Sequence, residues 1–239
     1  MCAMMAGRYS IIYADPPWDY KGQLQHNGAG GRDTGGALRH YPTMTAQEMA
    51  CLDIGRYAAD DCLLFLWATS PHLDQAIDLG KNWGFSWATV AFVWDKEKTN
   101  PGFYTLSQCE LCLVMKRGRI PMPRGARNMK QMVRERRRAH STKPDEVRRR
   151  IEGMFPRHKR LELFARERHA GWDCIGRETG DIWRITTEGV CAYRSLLAQR
   201  KASLDRELAR LDMLHGSGAL VMINNRSGVS LEGGAERGS

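Results

Sequence analysis

The sequence predicts an α/β fold, in which a mostly parallel β-sheet carries helices on both of its faces. Short apolar runs rich in β-branched and aromatic residues recur along the chain, as is typical of strands buried on both faces. Segments that open with helix start signals alternate with these runs, which favours a sheet covered by helices. With 239 residues, 42% of them hydrophobic, the chain can bury one sizeable core.

The first strand is predicted over residues 9–14 and ends at Asp15-Pro16-Pro17-Trp18. The first proline excludes helix at Asp15, and neither proline can donate a hydrogen bond to a sheet. The tetrapeptide therefore places a carboxylate and backbone carbonyls without local donors at the carboxyl end of a strand, where open α/β sheets bind ligands. The alternative interpretation is a turn that only ends the strand and packs its tryptophan.

The later elements alternate between helix and strand. The glycine-rich segment over residues 22–36 cannot bury enough surface to order itself, so it is either a lid over an active site or a long loop. Helix starts are marked by a capping box and by prolines in the first turn. The predicted elements are, in order, a helix from Thr45 to about residue 59, a strand over 62–68, a helix from Ser70 that ends before Gly84, strands near 86–94 and 109–116, a helix from Pro144 to about residue 154, and a strand over 160–165.

Three parts are predicted along the chain: a main domain over residues 1–185, a helical extension over residues 186–215 and a disordered tail over residues 216–239. The extension carries leucines at a coiled-coil-like spacing. These are Leu197, Leu204, Leu208 and Leu211. They indicate either packing against the main domain or a homodimer formed through this helix.

The formal charge of +9 is concentrated in residues 124–160, which hold fourteen of the 36 Lys and Arg residues but four of the 27 Asp and Glu residues. A basic block of this kind is the electrostatic footprint of a polyanion such as nucleic acid. A solvated helix face is the alternative. No apolar stretch approaches the roughly 20 residues needed to cross a bilayer, so we expect no membrane partner.

The cysteines indicate a reducing, intracellular environment, because seven of them show no disulfide-like spacing. Cys109-x-x-Cys112 is the only metal-like pair. An offset of three puts its side chains on opposite faces of a strand, and no second pair follows. We therefore expect no metal site.

The residue types at Asp15-Pro16-Pro17-Trp18 suit the activation of an exocyclic amino group on a nucleobase. Such a nitrogen is a poor nucleophile, because its lone pair is delocalised into the ring. The Asp15 carboxylate and the Pro16 carbonyl could accept hydrogen bonds from the two N–H groups of this nitrogen and so localise its lone pair. Trp18 would stack on the base. The acceptors would then stabilise the positive charge that develops on nitrogen in the transition state.

The chain resembles the N6-adenine methyltransferases with an Asp-Pro-Pro-Trp signature, a family that includes the catalytic subunit of the eukaryotic messenger-RNA methylase and phage and bacterial relatives. The resemblance covers roughly residues 9 to 180, with several blocks in family order. Besides the signature, these blocks are His40-Tyr41-Pro42-Thr43-Met44, Leu63-Leu64-Phe65-Leu66-Trp67, Cys109-Glu110-Leu111-Cys112-Leu113-Val114, His140-Ser141-Thr142-Lys143-Pro144-Asp145-Glu146, Glu162-Leu163-Phe164-Ala165-Arg166, Gly171-Trp172-Asp173 and Gly176-Arg177-Glu178. It implies a Rossmann-like, circularly permuted S-adenosylmethionine-dependent methyltransferase fold over residues 1–185.

The resemblance also implies roles for individual residues. The catalytic set is Asp15, Pro16, Pro17 and Trp18. Trp18, Tyr41 and Lys143 would contact the target nucleotide. Phosphate binding by Arg136 and Arg137 is expected from the charge of the basic block and not from the resemblance. The cofactor, S-adenosylmethionine, would be held by Asp15, Lys143, Glu162, Arg166, Arg168, His169, Arg177 and Glu178. A packed surface tyrosine and an ordinary helix-start lysine remain the alternatives for Tyr41 and Lys143.

Two positions depart from the family pattern. Arg168-His169 stands where a His-Asn pair is frequent, and Arg177 stands where an asparagine is usual. Both bear on how the chain holds the adenosine end of the cofactor.

The expected function is methylation of adenine N6 in nucleic acid, with DNA favoured over RNA because the compact chain resembles phage and bacterial relatives. The expected location is the cytoplasm of a bacterium or of a phage-infected cell. Alternatives are an RNA adenine methyltransferase, a methyltransferase for cytosine N4 or a free nucleotide, and a catalytically silent nucleic-acid-binding partner. The tryptophan after the prolines is atypical of the cytosine enzymes, and silent members typically lose the acid that Asp15 supplies.

Overall fold

In a computed structural model, residues 8–19, 43–100, 104–138, 142–176, 179, 187–216, 220–224 and 228–232 are described. They form seven strands of one sheet, a two-stranded hairpin and four α-helices. The elements are β1 Tyr9–Ala14, α1 Ala46–Ala50, β2 Ala58–Ala68, α2 Leu73–Asn82, β3 Ser86–Asn100, β4 Ser107–Arg117, β5 Met132–Arg134, α3 Asp145–Met154, β6 Arg160–Leu163, β7 Asp173–Ile175, α4 Thr187–Gly216, β8 Leu220–Asn224 and β9 Gly228–Glu232.

The seven-stranded sheet has the order β5-β3-β4-β2-β1-β6-β7 and is mostly parallel, as the sequence predicts. β1 runs parallel to β2 and β6, β6 runs parallel to β7, and β3 runs parallel to β5. β4 is antiparallel to both of its neighbours, β2 and β3. The six other strands therefore point the same way, and their carboxyl ends meet at one edge of the sheet.

Helices cover both faces of this sheet. On one face, Val147 and Ile151 of α3 belong to a core cluster with Tyr13, Trp67 and Trp94 of the strands. On the other face, Gly80 of α2 lies directly against the side chain of Met115. Because β1 and the carboxyl half of β2 are buried on both faces, these strands are apolar runs and not alternating ones.

The helix that begins at Thr45 is much shorter than predicted. The capping box is present, since the Glu48 backbone N–H donates to Thr45 Oγ1 at 3.2 Å and the Thr45 N–H donates to Glu48 Oε2 at 2.8 Å. α1 nevertheless ends at Ala50, and β2 begins at Ala58. Beyond the helix the chain packs on Trp83: the Trp83 indole N–H donates to the Met49 carbonyl at 3.0 Å, and a Cβ at Gly55 would lie 2.7 Å from the Trp83 carbonyl oxygen.

The last predicted strand of the main domain also ends early. β6 stops at Leu163, because Phe164 adopts a left-handed backbone conformation with φ of 60°. The strands predicted near 86–94 and 109–116 are longer in the structure, as β3 and β4.

The C-terminal part contains the predicted helix and an unpredicted hairpin. α4 spans Thr187–Gly216, and Leu204, Leu208 and Leu211 on it are each more than half exposed, with exposed fractions of 61%, 58% and 56%. The side chain of Leu197 lies outside the described residues. β8 and β9 pair antiparallel within the segment for which disorder was predicted, because both are alternating or apolar runs that can form a ladder. The chain divides into two compact units, residues 1–192 and 193–239.

Candidate active site

Asp15 directly follows β1, at the edge where the carboxyl ends of the parallel strands meet. The turn after it is closed by backbone hydrogen bonds: the Trp18 N–H donates to the Pro16 carbonyl at 2.9 Å, and the Met44 N–H donates to the Pro17 carbonyl at 2.8 Å. The expectation that these carbonyls lack local donors is therefore wrong. Each carbonyl oxygen keeps a second lone pair, so the Pro16 carbonyl can still accept one further hydrogen bond.

Trp18 does not form an open wall for a base, and this part of the prediction is wrong. Its side chain is buried, with 5% of the residue exposed. The indole N–H donates to the Trp67 carbonyl at 3.2 Å, and the ring stacks on His72 with centroids 5.4 Å apart and an interplanar angle of 19°. Trp18 instead anchors the Asp15 turn to the end of β2.

His72 completes this anchor, and sequence reasoning missed it. The ring is buried; its Nδ1 lies 2.9 Å from Thr69 Oγ1 and its Nε2 lies 3.3 Å from the Asp19 carbonyl. Burial lowers the pKa of His72, against the opposing effects of the Asp19 carbonyl and nearby carboxylates. Its one sequence signal was its position directly after Ser70-Pro71, at the start of a helix.

Lys143 is held at Asp15 by an ion pair that the sequence analysis did not predict. Its Nζ lies 2.8 Å from Oδ1 and 2.9 Å from Oδ2 of Asp15, and 5.6 Å from the centre of the Trp67 ring. Burial of Lys143 disfavours its charged form, but the Asp15 and Glu110 carboxylates outweigh burial and raise its pKa. The ammonium group is therefore a permanent cation beside the Asp15 carboxylate.

Glu110 and Lys96 extend this cluster beneath Asp15, and sequence reasoning missed both. Glu110 Oε2 lies 3.2 Å from the Lys143 Nζ, and Glu110 Oε1 lies 3.4 Å from the Lys96 Nζ. Burial favours the neutral form of Glu110, but the two ammonium groups outweigh it and hold the pKa of this carboxyl below its usual range. The available signal was a charged residue inside the apolar run of β4.

A second buried carboxylate, Glu162, lies one strand away from the Asp15 turn. Glu162 on β6 pairs with Tyr13 on β1, two residues before Asp15. The side chain is 10% exposed and both of its oxygens accept hydrogen bonds from Arg148 at 3.1 Å. Burial raises the pKa of Glu162, although Arg148 opposes the effect.

Three further residues predicted for the cofactor, Arg166, Arg168 and His169, lie in the turn that follows β6. His169 Nε2 lies 3.9 Å from Glu162 Oε2, and exposed Arg168 donates to the Thr179 carbonyl at 3.1 Å. Arg166 is partly buried in the same turn. Beside this turn and α3 is an open groove of about 350 Å³, which is lined by Asp145, Arg148, Arg149, Glu152, Glu167, Arg168, His169 and Ala170.

Arg136 and Arg137 lie at the same edge of the sheet as Asp15 and are exposed. The backbone here continues alongside β3, because the Glu135 N–H donates to the Asp95 carbonyl and the Arg137 N–H donates to the Lys96 carbonyl, both at 3.2 Å. Neither guanidinium has an ion-pair partner among the described residues.

The rest of the basic block is not one uniform phosphate-binding surface. Several of its arginines are engaged within the fold. Arg148 pairs with Glu162, Arg149 and Arg150 pair with Glu146, Arg138 pairs with Glu135 and Asp145, and Arg160 donates to the carbonyls of Phe155, Pro156 and Gly171. The exposed cations without an ion pair in the described part of the block are Arg127, Lys130, Arg136, Arg137, Arg157 and Lys159.

Some predictions lie outside the described residues, namely those for Tyr41, Arg177, Glu178 and the glycine-rich segment over 22–36. Within the described residues no three His, Cys, Asp or Glu side chains are grouped as a metal ion would need, and Cys51, Cys62, Cys109, Cys112 and Cys174 are free thiols. Among the same residues, no helix has the length and apolar character needed to span a membrane.

Comparison with known proteins adds independent evidence. A type II methyltransferase of a Mycoplasma species, M.MunI, is 48% identical over 184 residues, which are 73% of this chain and 79% of that protein. An N(6)-adenosine-methyltransferase MT-A70-like protein of Arabidopsis thaliana is 30% identical over 201 residues, and the human N(6)-adenosine-methyltransferase catalytic subunit METTL3 is 27% identical over 202 residues. The chain spans 26% and 31% of the length of these two eukaryotic proteins.

The region that the family model matches contains both carboxylate clusters at the carboxyl edge of the sheet. The MT-A70 family model matches residues 9–178, from the first residue of β1 to three residues beyond β7. The chain is a member of the MT-A70 family of methyltransferases.

Proposed function

We propose that the protein is an S-adenosylmethionine-dependent methyltransferase that places a methyl group on N6 of adenine in nucleic acid, with DNA preferred over RNA. The observation that carries this proposal is the Asp15 carboxylate at the carboxyl end of β1. Lys143 orients it, and the Glu162 cluster lies on the adjacent strand. Open α/β sheets bind ligands at this edge, so one ligand can be held at Glu162 while another is presented to Asp15.

The residues around Glu162 fit the cofactor by their chemistry. S-adenosylmethionine carries ribose hydroxyls and an α-amino group, which are donors, and an α-carboxylate, which is an acceptor. Glu162 would accept from the donors, and Arg166, Arg168 and His169 would donate to the carboxylate. The bound cofactor supplies an electrophilic methyl group on a sulfonium centre.

Asp15 would act on the amino group that receives the methyl group. Its carboxylate and the free lone pair of the Pro16 carbonyl would accept hydrogen bonds from the two N–H groups. These hydrogen bonds would localise the lone pair of the nitrogen. Lys143 binds both carboxylate oxygens, so it fixes the direction in which the remaining lone pairs of Asp15 point. Holding the two reactants in line supplies much of the rate of such a displacement.

The preference for DNA rests on the extent of the similarity. The match to the bacterial type II methyltransferase covers 79% of the length of that protein. The match to the MT-A70-like protein of Arabidopsis covers 26% of the length of that protein. An adenine paired in a duplex would have to leave the base stack to reach Asp15, at a cost of a few kcal/mol. An RNA adenine methyltransferase is the second candidate.

We also propose that the phosphate backbone binds at Arg136 and Arg137, with Lys130 and Arg127 further along the same segment. The remaining sequence-based assignments are kept as proposals: a methyltransferase domain over residues 1–185, a helical extension over 186–215 and a cytoplasmic location. A homodimer through α4 is supported by its exposed leucines.

An assay with labelled S-adenosylmethionine, separate DNA and RNA substrates and nucleoside analysis tests this function. We expect N6-methyladenine with the wild-type protein and DNA. We expect a loss of at least about a hundredfold in rate for Asp15→Asn, which keeps the shape of the side chain but removes its charge. The control is Asp78→Asn, because Asp78 lies on the exposed side of α2, where it pairs with Lys81.

Three outcomes would count against the proposal in different ways. Full activity of Asp15→Asn would remove Asp15 from the mechanism. Transfer to RNA alone would replace the DNA preference by the second candidate. No transfer to any polymer, together with tight and salt-sensitive binding, would favour a catalytically silent nucleic-acid-binding partner.

A further inference from the structure

Arg148 makes a set of contacts that separates it from the other arginines of the basic block. Its Nε and Nη2 donate to the two oxygens of Glu162, each at 3.1 Å, and its Nη1 donates to Asp145 Oδ1 at 2.9 Å. The guanidinium carbon lies 5.8 Å from the centre of the Tyr13 ring. A two-pronged pair of this kind fixes the orientation of a carboxylate as well as its charge.

The fold explains why this arginine and not its neighbours takes this position. Asp145 and Arg148 lie three residues apart on α3 and therefore share one face of the helix. Val147 and Ile151 bury the adjacent face of α3 against the sheet, so the guanidinium of Arg148 lies over β1 and β6. The side chain of Arg148 is 12% exposed, whereas that of Arg149 is 66% exposed and pairs with Glu146.

Glu162 needs such a partner if it is to bind a ligand as an anion. Burial raises the pKa of this carboxyl, and the charge of Arg148 acts in the opposite direction. A buried carboxylate that loses its cation is strongly destabilised and becomes neutral instead. Because Arg148 takes one lone pair on each oxygen, the remaining lone pairs of Glu162 have a defined direction.

We propose that Arg148 is a positioning residue for the cofactor: it holds Glu162 ionised and correctly oriented, and it does not bind the nucleic-acid backbone. This inference rests on the proposed function, since it takes Glu162 as a group that contacts S-adenosylmethionine. It removes Arg148 from the phosphate-binding set and assigns it to the cofactor half of the site.

The test measures cofactor binding and nucleic-acid binding separately. In Arg148→Met the dissociation constant for S-adenosylmethionine, measured by calorimetry, is expected to rise about tenfold or more, because a buried acceptor loses its donors. The affinity for DNA without cofactor, and its dependence on salt, are expected to stay at the wild-type values. Arg148→Lys keeps the charge but not the fork, and an intermediate dissociation constant is expected.

Arg157→Met is the matched control, because Arg157 is an exposed arginine of the same basic block that precedes β6. It is expected to bind the cofactor as the wild type does. Unchanged cofactor affinity in Arg148→Met, or a DNA affinity that falls with cofactor affinity intact, would overturn the inference. If the wild-type protein itself does not bind S-adenosylmethionine, the proposed function fails first.

The pH dependence separates positioning from a general loss of structure. Without Arg148 the pKa of Glu162 rises further, so cofactor binding by Arg148→Met is expected to strengthen as the pH is raised and Glu162 loses its proton. The groups that face Glu162 are Arg148 from α3, His169 from the turn after β6, Cys174 from β7, and Asp15 and Tyr13 from β1 and its end. Wild type and variant share every other group that faces Glu162, so the difference between their pH profiles reports on Glu162.

A variant that is unstable would not leave the proposal undecided. The double variant Arg148→Met with Glu162→Gln removes both charges of the buried pair, and its thermal stability is expected to exceed that of Arg148→Met alone. Its cofactor affinity is expected to stay low at every pH. Recovery of wild-type cofactor affinity by this double variant would overturn the inference.

Discussion

Asp15 does not stand alone at the residue scale, because it shares one buried ammonium group with a second carboxylate. Lys143 lies 2.8 Å from Asp15 and 3.2 Å from Glu110, and Lys96 lies on the far side of Glu110. Positive and negative groups alternate in the order Asp15, Lys143, Glu110, Lys96. Each buried charge therefore has a neighbour of opposite sign. Glu110 therefore limits how fully Lys143 neutralises Asp15.

Replacing Glu110 by Gln is expected to affect both stability and catalysis. The change removes the carboxylate that Lys96 pairs with in a buried position and leaves Lys143 with Asp15. A buried charge that loses its partner typically costs about 3–5 kcal/mol of the free energy of unfolding. Lys143 would then be drawn wholly to Asp15, so the methylation rate is expected to fall while the cofactor dissociation constant stays within a few fold. Urea unfolding, calorimetry and single-turnover rates measure the three quantities.

The pH dependence of this pair follows from the sign of the shift. Glu110 has a pKa below its usual value in the folded protein, so its ionised form contributes stability at neutral pH. That contribution is lost as the pH falls through the lowered pKa, below the usual range near 4.3. The Glu110→Gln variant should lose less stability than the wild type between neutral and acidic pH. If both proteins lose the same amount of stability on acidification, protonation of Glu110 is not the cause of the loss.

At the scale of elements, the backbone conformation of Phe164 ends strand β6 and begins the turn that follows it. Phe164 has a φ of 60° and stacks on Trp83 with ring centroids 6.4 Å apart. Left-handed backbone costs an ordinary residue roughly 1–2 kcal/mol. The turn holds this conformation while it carries Arg166, Arg168 and His169 past Glu162.

Substitution of Phe164 separates backbone strain from side-chain packing. Both Phe164→Ala and Phe164→Gly lose the contact with Trp83, but glycine accepts the left-handed conformation. We therefore expect Phe164→Gly to be more stable than Phe164→Ala by about 1 kcal/mol in urea unfolding. At the adjacent Ala165, which has no left-handed backbone, Ala165→Gly is expected to lower stability by roughly 0.5–1 kcal/mol. If Phe164→Gly is less stable than Phe164→Ala, the left-handed backbone at residue 164 is not strained.

Boundaries of the elements depended on contacts that local sequence does not contain. The capping box at Thr45 was recognisable because both of its partners lie three residues apart. The early end of α1 was not, because the residues at its end and beyond it pack on Trp83, which is distant in the chain. The left-handed Phe164 gave no signal either, because phenylalanine in an apolar run predicts a continuing strand.

At the scale of the whole molecule, the basic block divides into structural and free cations. Arginines in α3 and β6 hold the fold together, while Arg136 and Arg137 remain exposed at the edge that carries Asp15. Binding to a polyanion releases counter-ions, so its salt dependence reports how many phosphates the protein neutralises.

The double variant Arg136→Ala with Arg137→Ala is expected to weaken DNA binding and to reduce the salt slope by about 2, one unit for each lost phosphate contact. Cofactor binding is expected to stay unchanged. Arg157→Ala and Lys159→Ala together remove the same charge from the segment before β6 and should leave the salt slope near the wild-type value. Equal slopes for both double variants would place the nucleic acid elsewhere. Filter binding or fluorescence anisotropy over a series of salt concentrations gives these slopes.

The sequence by itself determined the strand-ending signature, the alternation of strands and helices, and the location of the excess charge. These properties are local: periodicity, proline geometry and composition are carried by residues close together in the chain. Asp15, Lys143 and Glu162 could be named as candidate site residues for the same reason, since they lie inside recognisable sequence blocks.

Only the tertiary structure decided what each of these groups faces. It buried Trp18 against His72, gave Lys143 two carboxylates to share, and paired Arg148 with Glu162. Each of these contacts joins different elements of the fold, which the sheet order brings together at one edge. The sequence identifies which residues are charged. The partner of each charged side chain depends on packing between elements that are distant in the chain.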